Sequence, residues 1–302
     1  MMAADILPIK PMHIWPGAGG IRLAGDSWGD IGRPVVVLLH GGGQTRHAWN
    51  GAGEKLAAAG YNAIAFDARG HGESDWAPDG LYSADVMVQD LKCVISALGA
   101  VSPILIGASM GGNTSLLAVG ERHVQASALV LVDVAPRIEK RGAEKVLAFM
   151  KRNPNGFATI EEVADAISAY QPHRSRPRNL NGLVKNVRLG QDGRYRWHWD
   201  PRFLSQSFDL QERQLRLEAS TRNLVEPTLL IRGSSSDVLT DIGVREFLTL
   251  CPHAEFVEIS GAGHMIAGDR NDVFANAIVS FLSRAVPIDA GSVVQLNGWP
   301  FQ

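Results

Sequence analysis

The sequence predicts an α/β fold: a mostly parallel central sheet flanked by helices, with a helical lid inserted between two sheet segments. Three observations predict it. Runs such as Val35–Leu39 (VVVLL), Asn62–Phe66 (NAIAF) and Ser127–Val132 (SALVLV) are continuously apolar rather than alternating, as strands covered on both faces should be. Segments of helical spacing separate them and supply the crossovers that parallel strands need. From Arg137 to about Glu226 this rhythm stops, and then it resumes.

Each element has its own signal. The stretch to about Arg33, rich in Gly and Trp, reads as a hairpin of strands or as loop. Val35–Leu39 is a buried strand that runs into His40-Gly41-Gly42-Gly43. Helical spacing over Thr45–Ala59 stops at Gly60. Asn62–Phe66 is the second strand and ends in Asp67-Ala68-Arg69-Gly70-His71-Gly72. Ser83–Leu98 is a helix with a serine at its start and Asp85 in its first turn, as a capped helix should have. Pro103–Ile106 is the third strand, Ser109–Glu121 the third helix, and Ser127–Val132 the fourth strand, closing at Asp133. After the interruption, Thr228–Arg232 and Ala254–Ile259 read as strands, Asp241–Leu250 and Phe274–Arg284 as helices. The tail from Pro287 reads as irregular.

The expected organisation is therefore a core of residues 1–136 and 227–302 with a lid of residues 137–226. In open sheets ligands sit beyond the carboxyl ends of the strands, so the lid is expected to cover that edge. It carries 17 Lys/Arg against 11 Asp/Glu, net +6, while the rest carries 12 against 20, net −8.

The totals exclude several classes. The 302 residues are 45% apolar and 20% charged, ordinary for a globular protein with a full core. A formal charge of −2 points to neither nucleic acid nor a membrane surface as partner. Cys93 and Cys251 are far apart, with no metal spacing and no disulfide framework. No apolar run approaches the ~20 residues of a membrane span. The N-terminus lacks a basic segment followed by an apolar one. A cytoplasmic setting is the expectation, without metal or organic cofactor.

The chemistry concentrates where Pro103–Ile106 meets its helix, at Gly107-Ala108-Ser109-Met110-Gly111. A tight strand-to-helix turn strains its central residue and lifts that side chain above the sheet, and small neighbours are needed to avoid collision. Ser109 would then stand at a helix N-terminus, with the Met110 amide facing any oxygen beside it. In isolation the same five residues also describe a helix cap at a glycine turn; the strand before and helix after favour the nucleophile. A serine hydroxyl needs a base. His264, in Gly261-Ala262-Gly263-His264 after the last strand, is the best candidate. The imidazole needs an orienting carboxylate. Asp133, 24 residues after Ser109, and Asp237, after TLLIRGSSSD, both end strands and both qualify. An oxyanion needs two donors: the Met110 amide is one, and the Gly42 amide the other, with Gly41 beside it as a backbone position against substrate.

These motifs, VVVLLHGGG, NAIAFDARGHGESD, ILIGASMGG, LVLVDVAP, TLLIRGSSSDVL and GAGHMI, resemble in order and spacing the α/β-hydrolase fold superfamily. The branch that it resembles holds small esterases, lactonases, carbon–carbon bond hydrolases and cofactor-free haloperoxidases. The resemblance covers roughly residues 30–136 and 225–285; the lid matches nothing assignable. It implies Ser109 as nucleophile and His264 as base. Most members place the acid three residues past the terminal glycine of the strand represented by Thr228–Arg232, where this chain has Ser236, with Asp237 one later. Other branches place it at the end of the earlier strand, at Asp133, which is preferred because its offset needs no adjustment. Relatives with alkyl-enzyme chemistry carry Asp where Ser109 stands, so that chemistry is not expected. The loop Asp67–Ser74 reads as structural, fixed by pairing of Asp67 or Glu73 with Arg69, with His71 as scaffold.

The expected activity is hydrolysis of an ester-like carbonyl (carboxylic ester, thioester or lactone) of a small molecule through an acyl-enzyme. A second reading has the same groups cleaving a carbon–carbon or amide-like bond of an anionic intermediate, with Arg174, Arg176 and Arg178 as carboxylate partners. A non-catalytic receptor is a third, disfavoured because all triad members are present. Trp197 and Trp199 either line the substrate pocket or pin the lid to the core. The partner expected is a small acyl substrate, anionic in the second reading; a homodimer is compatible with the tail carrying Trp299 and Phe301.

Overall fold

The N-terminal stretch adopts the hairpin: β1 (His13–Pro16) pairs antiparallel with β2 (Arg22–Trp28). β3 (Val35–Leu39) follows, then a 3-10 turn at Arg46–Trp49 and α1 (Asn50–Ala58), β4 (Asn62–Phe66), α2 (Ala84–Ala97), β5 (Ile104–Ala108), α3 (Met110–Gly120) and β6 (Ala128–Val132). The inserted segment holds α4 (Lys140–Met150), α5 (Ile160–Tyr170), β7 (Val187–Leu189), β8 (Tyr195–Trp197) and α6 (Leu210–Arg222). β9 (Thr228–Gly233), α7 (Asp241–Leu250), β10 (Glu255–Ile259) and α8 (Asn271–Ala285) complete the chain. This is a computed structural model, and it describes residues 10–170, 180–205, 209–264 and 271–288.

The sheet order is β1-β2-β4-β3-β5-β6-β9-β10. β2 runs antiparallel to β4, and every pair from β4 to β10 is parallel. Along β3, β5 and β6 both faces are covered, because alternate residues point to opposite sides and both sets are apolar. Val37, Leu39, Leu105, Leu129, Leu131 and Leu230 join one core with residues of α2, α3, α6 and α7. Val36, Leu38, Ile106, Val130, Leu229 and Ile231 join the other with Leu56 of α1 and Phe274, Ile278 and Phe281 of α8. Ser83 caps α2 as its sequence position implies, accepting from the Val86 amide at 3.4 Å.

The inserted segment is not all helix. β7 and β8 form a two-stranded antiparallel ribbon whose three-residue strands left no alternation long enough to read. Met150, Phe157, Val163, Val187, Trp197 and Trp199 make a separate small core there. α6 instead packs on α3: Leu217 joins the main core, and the chain at Ser220 lies so close to Gly120 that a Cβ on Gly120 would collide with it. Among the described residues no helix is long and apolar enough to cross a membrane.

Candidate active site

The parallel strands bring five loops to one edge of the sheet, after β3, β5, β6, β9 and β10 in that order. Ser109 follows β5 with φ 47° and ψ −109°, a conformation strained for a residue with a Cβ. The turn exists because its glycines let backbones touch. A Cβ on Gly111 would lie on the Leu39 carbonyl, and one on Gly107 would strike the Gly111 carbonyl. The Gly111 amide is taken by His40 O at 3.1 Å, and the Ser109 amide by Val132 O at 3.1 Å. Met110 is the first residue of α3, so its amide stands at the positive end of the helix.

β6 places Asp133 one strand away from Ser109, since Ala108 pairs with Val132. Asp133 is buried, and its φ of 51° is also left-handed. Its Oδ2 accepts from His264 Nδ1 at 2.6 Å and from Ser236 Oγ at 2.5 Å, and its Oδ1 accepts from the Gly233 amide at 3.1 Å. Gly233 lets the 262–263 carbonyls pass at 2.5 Å from where a Cβ would be, which brings His264 over the carboxylate. With Nδ1–H donated to Asp133, the other ring nitrogen of His264 is the one left for a proton from a nucleophile. Ser109 Oγ itself makes no cap bond and no hydrogen bond to His264 among the described residues.

Asp237 lies elsewhere. Its carboxylate is about half exposed and pairs with Lys145 of α4 at 2.7 Å. The position three past Gly233 is filled by Ser236, whose hydroxyl donates to Asp133 and accepts from the Val238 and Leu239 amides, both at 3.2 Å. The customary acid position thus supports the carboxylate of the neighbouring strand.

The loop after β3 lies directly against the serine: a Cβ on Gly41 would stand 3.4 Å from Ser109 Cβ. Three buried histidines fasten this loop and the one beside it. His40 Nδ1–H donates to Gly41 O at 2.8 Å while its Nε2 accepts from the Ala68 amide at 2.9 Å. His71 Nε2 accepts from the Gly43 amide at 3.3 Å, and its Nδ1–H donates to Arg69 O at 3.1 Å. His198 Nδ1 accepts from the Gly72 amide at 2.8 Å. An imidazole that accepts a backbone N–H must be neutral, and burial enforces this. It pushes His40 down to about 4, His71 down to about 3, and His198 well below its ordinary value.

The charge pairing of the 67–74 loop differs from expectation. Asp67 and Glu73 pair with the buried Arg46, not with Arg69; Arg46 also donates from Nε to Asp26 at 2.8 Å. Arg69 is matched by Asp90 at 2.6 Å. Arg46 reads from sequence as one polar residue of a helical stretch, and only the return of β4 beside β3 brings the three carboxylates around it.

Met150, at the end of α4, and Phe203 reach the loop after β3 from the inserted segment; a Cβ on Gly42 would lie 3.8 Å from Phe203 and 3.9 Å from Met150 Sδ. Phe203 also stands edge-on to His71 at 4.9 Å. Neither is legible in the sequence, since an apolar residue in a segment without periodicity carries no signal of what it faces. Trp197 and Trp199 stack on each other at 5.0 Å, and Trp197 packs against Phe149 and Phe157. With only 8% and 3% of their surface exposed, their rings serve the insert's own core. Arg174, Arg176 and Arg178, like Trp299 and Phe301, lie outside the described residues. No group of three or more His, Cys, Asp or Glu among the described residues is arranged to hold a metal ion.

Comparison with known proteins agrees with this architecture. A family model described as alpha/beta hydrolase fold matches residues 34–270. The chain is 28% identical over 267 residues to the sn-1-specific diacylglycerol lipase of Mus musculus, covering 84% of this chain and 83% of that one. It is 30% identical over 249 residues to an esterase of Mycobacterium tuberculosis, covering 80% of each. The crystal structure of E-2-(acetamidomethylene)succinate hydrolase superposes with a TM-score of 0.79 at 23% identity, covering 90% of this chain and 100% of that one. A strained serine elbow, a glycine loop beside it and a paired histidine and aspartate at one sheet edge, in a chain so matched, belong to the α/β hydrolase fold family and to an enzyme of the hydrolase class.

Proposed function

We propose that this hydrolase cleaves an ester-like carbonyl bond of a small molecule through an acyl-enzyme on Ser109. The observation that supports this most strongly is the His264–Asp133 bond of 2.6 Å, formed beside the strand end that carries Ser109. In free enzymes the bond between nucleophile and base is often long and tightens only with substrate, so the open Ser109 hydroxyl fits the reading.

In the proposed reaction His264 Nε2 takes the Ser109 Oγ proton as Oγ bonds to the carbonyl carbon. The carbonyl π pair moves onto oxygen, where the Gly42 and Met110 amides receive it. Asp133 holds the imidazolium. The bond to the leaving oxygen or sulfur then breaks, and the leaving group departs with the proton from His264. Water, giving its proton to the same nitrogen, bonds to the acyl carbon and expels Ser109 as the free hydroxyl. Met150 and Phe203 over Gly42 would place an apolar part of the acyl group beside the donors.

The test is the rate of p-nitrophenyl butyrate hydrolysis by wild type and Ser109→Ala. A loss of at least ~10³-fold in kcat/KM supports the reading; turnover that survives the substitution refutes it.

A further inference from the structure

One cation, on the helix that packs against α3, has no carboxylate opposite it among the described residues. Arg213 stands in the first turn of α6, and its Nη2 donates to Asn113 Oδ1 at 3.0 Å. That bond uses one of the five N–H donors of a guanidinium. No Asp or Glu among the described residues forms an ion pair with it. Its neighbours along the chain are all matched: Arg202 by Asp200 at 2.7 Å, Arg216 by Glu121 at 2.6 Å and Asp85 at 2.5 Å, and Arg222 by Glu218 at 3.3 Å.

The place of Arg213 is set by helix packing. α6 and α3 run side by side in the same direction, with Arg213 meeting Asn113 and Ser220 meeting Gly120. The start of α6 therefore stands beside the start of α3, where Ser109 is. The Asn113 amide donates to Ser109 O at 2.9 Å, so Asn113 lies one helical turn, about 5.4 Å along the axis, from the serine. Helical side chains lean toward the helix N-terminus, so Asn113 holds the guanidinium on the Ser109 side. Burial lowers the pKa of this guanidinium, and no opposite charge among the described residues offsets it. A half-buried planar cation with spare donors is complementary to a carboxylate, which it can bind by two parallel bonds.

We propose that Arg213, held by Asn113, forms an anion subsite of the active site and takes a carboxylate carried by the acyl part of the substrate. The spacing of one turn suits the half-ester of a short dicarboxylic acid. This rests on the reading of Ser109 as nucleophile.

The test compares monomethyl succinate with methyl butyrate, which share acyl length and differ by the carboxylate, in a pH-stat assay. In Arg213→Gln the KM for monomethyl succinate should rise about 10-fold or more with kcat little changed, since a charged hydrogen-bonded contact is lost. The KM for methyl butyrate should stay within about 2-fold, and Arg213→Lys should recover part of the loss. Equal changes for both esters, or none for either, overturn the subsite. Calorimetric titration of Ser109→Ala with succinate gives a readout that does not need turnover: binding should be lost in Ser109→Ala/Arg213→Gln, and absence of binding to Ser109→Ala also overturns it. Turnover of either ester by Ser109→Ala would instead bring down the nucleophile assignment, which separates the two failures.

Discussion

The three neutral histidines make the fold acid-labile in a window that can be worked out. His40 and His71 accept backbone amides and are pushed to about 4 and about 3, against an ordinary value of 6.5. The folded state therefore refuses protons that the unfolded chain accepts. This stability is therefore fully present above about pH 6.5 and is lost as pH falls toward the folded values. At pH 5 an unfolded histidine is almost fully protonated while each buried one is not, which costs about 2 kcal/mol per residue relative to pH 7. Two such groups would remove about 4 kcal/mol from a total stability on the order of 5–15 kcal/mol. The assay is urea unfolding of wild type and His71→Asn at pH 7 and pH 5. Asparagine can still accept an amide but does not titrate. The variant should be less stable at pH 7 and should lose about 2 kcal/mol less than wild type on acidification. An identical loss in both proteins would refute the account of His71 as a neutral acceptor.

Further outcomes are expected at the sheet edge. Asp133→Asn should lower kcat by about 10⁴-fold, because the amide cannot hold the imidazolium, whereas Asp237→Asn should change it by less than about 2-fold, its partner being the exposed Lys145; steady-state kinetics on one ester decides. Ser236→Ala removes one donor from Asp133 Oδ2. It should cost about 1–2 kcal/mol in urea unfolding; a stability equal to that of wild type would count against it. Gly111→Ala should prevent folding or cost more than about 3 kcal/mol, because the new methyl would meet the Leu39 carbonyl, a backbone atom; a circular-dichroism melt near that of wild type would contradict the packing.

What was legible in the sequence was whatever local pattern determines. Continuous apolar runs disclosed the parallel strands of the core, because two covered faces demand apolar residues at every position. The glycines around Ser109 disclosed the elbow, since tight backbone approach excludes a Cβ. Between Asp133 and Asp237 local pattern had no decisive voice, since both end strands; His264 and the Gly233 amide reach Asp133, while Asp237 turns to Lys145. Arg46 rather than Arg69 gathers Asp26, Asp67 and Glu73, which depends on which strands become neighbours. The β7–β8 ribbon was too short to show a period, and Met150 and Phe203 reach the glycine loop after β3 through tertiary packing alone. The histidines at 40, 71 and 198 are spread along 158 residues and meet only in the folded chain.

The most direct measurement of the central claim is covalent labelling with a fluorophosphonate, followed by peptide mass spectrometry. An activated hydroxyl displaces fluoride at phosphorus, and an ordinary serine does not. The account predicts a single adduct on Ser109, formed rapidly by wild type and at least ~10³-fold more slowly by His264→Ala. A protein that stays unlabelled, or an adduct on another residue while Ser109 remains free, would contradict it.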